Sequence, residues 1–425
     1  MSRSLFGLLT CCILGSIAGT ALAGDKVAVV PCEGEGGKYW PRWRGPSGQG
    51  VVETGDYPDS WSDKDNVLWK VEVSGRGNSS PIIWKDRIFL TSAQEKGKSR
   101  SILCLDRKDG KKIWDAFTPS AVVERPQDKN GFASGTPSTD GERVYAYFGN
   151  YGLFCVDMDG KQLWHKSFGP FDAFHGTSCS PLLYRDKVIV FQDHRGTSGS
   201  FVAAFDKKTG EQLWRTARKE KVGWGSPIAV SVGKQDLIIV SSENTVYGYD
   251  PADGKEIWRC KGNLVEVTPT PVAGLGMIFC CSGRAGPTLA IRPEGTGDIT
   301  ASSISWKSIK GSPFIPSPLL YGDYLYMVND IISVITCFEA RTGKLMWQER
   351  AGQSIKHGFS ASPIGVNGKV FFTNDDGETF VFAAGPEYKL LHVNRLNAKT
   401  LASPALLDNM WYIRTEQHLW CIGKK

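Results

Sequence analysis

Apolar residues in this chain come in short runs rich in β-branched and aromatic side chains, such as Ile88-Phe-Leu90, Val188-Ile-Val-Phe191, Leu237-Ile-Ile-Val240 and Val370-Phe-Phe372. Gly, Asp and Asn bound them. Runs of this length and composition read as strands buried on both faces. They sit on a repeating frame. A Ser/Thr-Pro pair followed by apolar residues recurs at Pro81, Pro137, Pro181, Pro227, Pro271, Pro318, Pro363 and Pro404, at intervals of 41 to 56 residues. After each Pro come a turn and a second apolar run, then a third strand, a turn of the form Asp-x-x-x-Gly-Lys and a Trp. Asp106 to Trp114, Asp157 to Trp164, Asp206 to Trp214 and Asp250 to Trp258 show the unit, and Glu339 to Trp347 has Glu for Asp. The fifth copy has a longer turn before Trp306, and the seventh has Leu390-Leu391 in the Trp region.

The chemistry of the unit is structural. Asp accepts backbone N–H bonds in the turn, Gly takes a positive φ, and Trp offers a large flat surface to the neighbouring sheet. Strands this short cover their apolar faces only by stacking on neighbours, and a four-stranded repeat near 45 residues predicts a β-propeller. Eight copies predict an all-β, eight-bladed propeller of four-stranded antiparallel blades. The last copy ends at Lys425 without its Trp strand, while Asn66 to Val73, containing Trp69, precedes the first Ser-Pro and reads as a fourth strand. That N-terminal strand is expected to complete the eighth blade and close the ring. Trp69, Trp114, Trp164, Trp214, Trp258, Trp306 and Trp347 are then equivalent docking residues, seven for eight blades. The organisation read from this is a leader over residues 1–23, an N-terminal extension over 24–65 and the propeller over 66–425.

Composition changes the picture little. The chain of 425 residues has 41% hydrophobic and 22% charged residues, which marks a folded protein, and its net charge of +6 carries no block of like charges. Neither nucleic-acid tracking nor stable membrane insertion is implied. Met1 to Ala23 has one early positive residue, Arg3, an interrupted apolar stretch and the ending Ala21-Leu22-Ala23, the pattern of a cleavable secretory signal. The mature chain is therefore expected to be exported, periplasmic or secreted, and monomeric. Nine Cys follow the leader. Cys104, Cys155, Cys337 and Cys421 share one repeat position, where other copies have Ala204 and Gly248. A position that accepts Cys, Ala or Gly is a packing position rather than a bridge.

Ala204-Phe-Asp206-Lys-Lys-Thr209-Gly210-Glu-Gln-Leu-Trp214 resembles the tryptophan-docking repeat of quinoprotein-type (PQQ-type) propellers, whose pattern is Ala-x-Asp-x-x-Thr-Gly-x-x-x-Trp. Trp40-Pro-Arg42-Trp43-Arg44-Gly45-Pro46, with Gly48 and Gly50, is similar to the opening of exported bacterial proteins that carry this repeat. The resemblance spans residues 39 to 425. It implies the propeller fold, and it is shared by pyrroloquinoline quinone dehydrogenases and by a lipoprotein that assists outer-membrane barrel assembly. Fold alone does not choose between them. In the dehydrogenases an adjacent-Cys disulfide packs on the quinone and Glu and Asn hold Ca²⁺. Here Cys280-Cys281 lies in a strand, where neighbouring side chains point to opposite faces. It is read as two small strand residues. Ligands for Ca²⁺ are not assignable, so no cofactor is assigned.

Loops leading into the inner strands share a face with the second-to-third-strand hairpins, so their residues converge on one channel mouth. From these we take Arg76, Asn78, His175, Asp193, Trp224, Arg284, Lys310, His357 and Asp375 as candidates for a protein, peptide or small polar ligand. No catalytic residue is assigned. The chain has no Cys-x-x-Cys-His, no His-Glu-x-x-His, no phosphate-binding Gly loop and no Gly-x-Ser-x-Gly elbow. Eight 45-residue units use nearly all of the mature chain and leave no long insertions around a cofactor. The expectation is a binding or assembly scaffold acting through the loop-rich face. The alternative is a PQQ- and calcium-dependent alcohol or sugar dehydrogenase.

Overall fold

A Pro after each Ser/Thr holds the preceding residue extended and starts a short inner strand, from Ser138–Thr139 to Ile228–Val232 in length. Each inner strand begins an antiparallel sheet running outward in chain order, as in Ile82–Trp84, Arg87–Gln94, Ser99–Asp106 and Lys112–Pro119 of blade 1. Eight such sheets form the propeller. The computed structural model describes residues 27–119, 127, 129–169, 175–195, 199–221, 223–284, 286–352 and 358–425. The leader and His357 lie outside the described residues. Among those described, the one α-helical turn is Thr300–Ser303, and no helix is long and apolar enough to cross a membrane.

Closure follows the expected route. Val67–Glu72 pairs antiparallel with His418–Ile422 and becomes the outer strand of blade 8. Apolar clusters fill the spaces between successive blades. Cys280 enters the one shared by blades 4 and 5, and Cys281 the one shared by blades 5 and 6, as the strand alternation requires.

The docking geometry is repeated around the ring. In five of the seven outer-strand Trp the indole Nε1 donates to a main-chain carbonyl in the next blade's turn: Trp114 to Met158 (2.9 Å), Trp164 to Lys207 (3.2 Å), Trp214 to Pro251 (3.1 Å), Trp306 to Ala340 (2.8 Å) and Trp347 to Gly385 (3.2 Å). The ring lies on the turn glycine of that blade. A Cβ on Gly160 would come within 2.7 Å of Trp114 and one on Gly210 within 2.6 Å of Trp164, so these glycines are required for close approach as well as for their φ of +86° and +70°. Directly cross-strand from the Trp stand Cys104, Cys155, Ala204, Gly248, Ala290, Cys337 and, opposite Trp69, Cys421. A larger side chain there would push the indole off its seat. Trp258 is covered differently: the long turn of blade 5 adds Gly297–Asp298 alongside its strand and buries it completely.

The N-terminal extension is part of the propeller. Val27–Val29 pairs with the inner strand of blade 4, Trp40 exchanges backbone bonds with Ile83 of blade 1, and Val51–Val52 runs parallel to Ile364–Val366 of blade 7. The Ala273 N–H of blade 5 donates to Gln49 Oε1 (2.9 Å), and Arg44 donates to the Pro318 carbonyl of blade 6 (2.8 Å). The segment thus seals one end of the channel. It also supplies the tryptophan that blade 7 lacks. Trp61 stacks on Phe371 with ring centres 6.2 Å apart, close to the separations of Trp114 from Phe89 (5.8 Å) and Trp164 from Tyr145 (6.0 Å), and its backbone N–H donates to Asn394 Oδ1 (3.0 Å). Sequence pattern does not anticipate these contacts, because a non-repeating segment carries no register signal.

Two outcomes are expected. Trp61→Ala should destabilise by about 3–5 kcal/mol, like a docking tryptophan of the repeats, because it leaves an aromatic-sized void. Denaturant unfolding beside Trp164→Ala checks this, and a loss below about 1 kcal/mol would remove Trp61 from the docking set. Burial pushes the thiols of Cys104, Cys337 and Cys421 up to about 12 and raises that of Cys155. These four should react with iodoacetamide only after denaturation, without prior reduction, and mass spectrometry of the modified sites decides it.

Candidate functional site

The channel is closed at one end by the extension and open at the other, and its wall is built from the Ser/Thr of every Ser/Thr-Pro pair. Seven consecutive bonds link these residues from blade to blade, each backbone N–H donating to the next blade's hydroxyl. They run Ser80 to Thr136 (2.9 Å), Thr136 to Ser180 (3.0 Å), Ser180 to Ser226 (2.9 Å), Ser226 to Thr270 (2.8 Å), Thr270 to Ser317 (2.9 Å), Ser317 to Ser362 (2.9 Å) and Ser362 to Ser403 (2.9 Å). All eight side chains line a cavity of about 160 Å³ whose floor is Trp43. Two residues earlier in each segment, Asn78, Ser134, Ser178, Trp224, Thr268, Ile315, Ser360 and Leu401 form a second tier. This is the period-2 alternation of extended chain.

Lys129 and Asn130, ahead of blade 2, reach across the mouth. Lys129 pairs with Asp375 of blade 7 (2.8 Å), Asn78 Nδ2 donates to the Lys129 carbonyl (3.1 Å), and Asn130 Nδ2 donates to the His175 carbonyl (2.8 Å). His175 stacks on Trp224 at 6.2 Å, and the Trp224 indole donates to the Gly176 carbonyl (2.9 Å). Phe314 completes the wall. Its loop is held by Asp330, which accepts N–H bonds from Phe314 (2.8 Å) and Ile315 (3.1 Å); burial raises the Asp330 carboxyl and these bonds oppose the rise.

Of the residues singled out from sequence, Asn78, His175 and Trp224 line the cavity, and Asp375 reaches it through Lys129. Arg284 lies on the rim, paired with Glu266 and 5.6 Å from the Phe314 ring. Arg76 points away to Glu416 (2.8 Å), and Lys310 is exposed and is not part of the lining. Asp193 is not part of the lining: it is buried in an ion pair with Arg218 (2.8 Å), with Ser242 donating to its other oxygen (2.7 Å). Burial works against the Arg218 charge, but the neighbouring Asp193 outweighs it and raises the guanidinium above its ordinary range. Sequence reasoning missed Trp43, Lys129, Asn130 and the hydroxyl ring. The ring had a signal, a hydroxyl residue before all eight prolines, which register alone did not interpret.

A family model described as outer membrane protein assembly factor BamB matches residues 98–349 and 332–422. The chain belongs to this PQQ-type repeat propeller family. BamB from Burkholderia pseudomallei (strain K96243) is 23% identical over 336 residues, covering 74% of this chain and 78% of that one. Among solved structures, BamB from Moraxella catarrhalis superposes with a TM-score of 0.61 at 12% identity, over 84% of this chain and 97% of that one. A europium-containing methanol dehydrogenase gives 0.64 at 11%, over 91% and 98%. These two likenesses show the fold that this BamB-family chain shares with both kinds of propeller.

The quinone and calcium of the dehydrogenase alternative can be tested against the residues present. Among the described residues no Asp or Glu lines the cavity, and no group of three His, Cys, Asp or Glu is placed to hold a metal. Cys280 and Cys281 face separate cores. The described residues offer no ligand set for the pair, and no chemical step is derived through it.

Asp193→Ala should leave the Arg218 guanidinium buried without its counter-charge and cost about 3–5 kcal/mol, whereas loss of a merely surface pair costs under about 1 kcal/mol. Chemical denaturation of the variant distinguishes the two.

Proposed function

We propose that this BamB-family propeller is an exported, monomeric binding or assembly scaffold that holds a protein partner against its channel mouth. One observation carries the reading. Leu264 and Val265 before blade 5, Ile309 before blade 6 and Ile331-Ile332 in the blade 6 hairpin are exposed at 47–74%. Their loops are joined side by side. Glu266 pairs with Arg284, Arg284 covers Phe314, and Asn329 Nδ2 donates to the Ser312 carbonyl (2.8 Å). Polar residues are expected at solvated loop tips, and a cluster of branched apolar side chains beside a cavity is the mark of an interaction surface. Membership of a family described as an assembly factor supports a protein partner over a small substrate. The leader-like pattern of Met1 to Ala23 supports export.

The test is a pair of substitutions on the patch. Ile309→Asp with Ile331→Asp should lower crosslinking to envelope proteins by at least about tenfold, since removing two apolar anchors removes most of a hot spot. The melting temperature should stay within a degree or two, because surface changes away from packing cost under about 0.5 kcal/mol. Unchanged crosslinking would sink the scaffold reading. Dye reduction by purified protein with added quinone, Ca²⁺ and an alcohol or sugar would favour the dehydrogenase instead.

A further inference from the structure

The hydroxyls of the channel ring have a direction. Each one from Thr136 to Ser403 accepts an N–H from the preceding blade, which uses an oxygen lone pair and leaves the hydroxyl proton to be donated. Among the described residues none of the eight ring hydroxyls donates to a protein acceptor. The channel therefore offers a guest a circle of O–H donors, and among the described residues no Asp or Glu lines it.

A second, independent feature lies beneath the floor. The Arg44 guanidinium is fully buried, with its carbon 5.7 Å from the Trp43 ring centre. Nη2 donates to the Pro318 carbonyl, while Nε and Nη1 have no partner and no carboxylate pairs with the group. Burial lowers its pKa to about 9, so it remains charged at neutral pH. An isolated buried charge is costly, and among the described residues none balances it. At the mouth Lys129 adds a second cation, shared with Asp375.

We propose that the cavity above Trp43 binds a small free oxyanion, such as sulfate, phosphate or a short carboxylate, through the ring hydroxyls, with Arg44 behind the floor as its counter-charge. Size agrees. A cavity of about 160 Å³ has room for a small oxyanion together with water. Donors arranged in a circle suit a guest with several acceptor oxygens, and hydrogen bonds to an ionised acceptor are the strong ones. The inference does not depend on the scaffold reading, since the apolar patch and the cavity are separate surfaces.

The experiment is calorimetric titration of the whole mature protein with sulfate, phosphate or acetate at constant ionic strength set by chloride. Saturable one-to-one binding above the chloride baseline is expected for at least one of them. Ser80→Ala with Ser360→Ala removes two lining hydroxyls that receive no N–H in the ring, and should weaken binding by about tenfold or more with the melting temperature unchanged. Arg44→Met should weaken binding at least as much, while its melting temperature without added oxyanion stays level or rises. If that variant fails to fold, the serine pair still decides. Absence of saturable binding in the wild type overturns the proposal, as does affinity unchanged within about twofold in the serine pair. Binding of a neutral sugar such as glucose with no response to any oxyanion overturns it as well.

Discussion

Each blade meets the channel with an inner strand of two to five residues, and inner strands of neighbouring blades diverge from the axis without forming a ladder. The bond from the Ser/Thr N–H of one blade to the hydroxyl of the next is the connection that the wall can make at that radius. It explains the dipeptide. The hydroxyl residue needs a free N–H to donate and an oxygen to accept, and the following Pro holds it extended while starting a strand in which its own missing N–H is no loss. One such bond contributes about 1 kcal/mol, but seven in succession link all eight blades from Ser80 to Ser403. At the seam Arg414 of blade 8 donates to Ser79 Oγ (2.7 Å) and to the Thr91 carbonyl (2.9 Å) of blade 1, so the join is held by a side chain as well.

Farther out the spacing is held by packing. The docking tryptophan, the turn glycine beneath it and the small residue opposite it are one device, and each constrains the others. Cys at the small position fits because its thiol is compact and apolar in behaviour. Where the device departs from pattern, a segment from elsewhere compensates: Gly297–Asp298 covers Trp258, and Trp61 fills the slot of blade 7.

Those constraints make a rigid cup. The extension forms its floor, hydroxyls form its wall, and Lys129 reaches across its mouth to blade 7. Beside the mouth lies the exposed apolar cluster around Ile309 and Ile331. A scaffold benefits from this separation, because a rigid surface loses little conformational entropy when a partner docks. Among the described residues the lining is hydroxyl-rich and without a carboxylate.

The repeat made the architecture legible. Blade number, strand order, closure by residues near Trp69 and the packing role of Cys104, Cys155, Cys337 and Cys421 all follow from equivalent positions at a regular interval, where local pattern and global stacking say the same thing. The candidate site was legible only in part. Asn78, His175 and Trp224 could be placed at the mouth from topology, but Asp193 looks the same in sequence whether it faces solvent or, as here, an Arg218 that lies 25 residues away. Segments outside the repeat were opaque for a related reason. Arg44 meets Pro318 and Trp61 meets Phe371 across hundreds of residues, and no local propensity encodes a contact of that separation. Sequence by itself determined the ring, because every blade carries its own instructions for the next; tertiary structure decided what fills the ring, because the floor, the buried charge and the donor circle exist only once all eight blades converge on one axis.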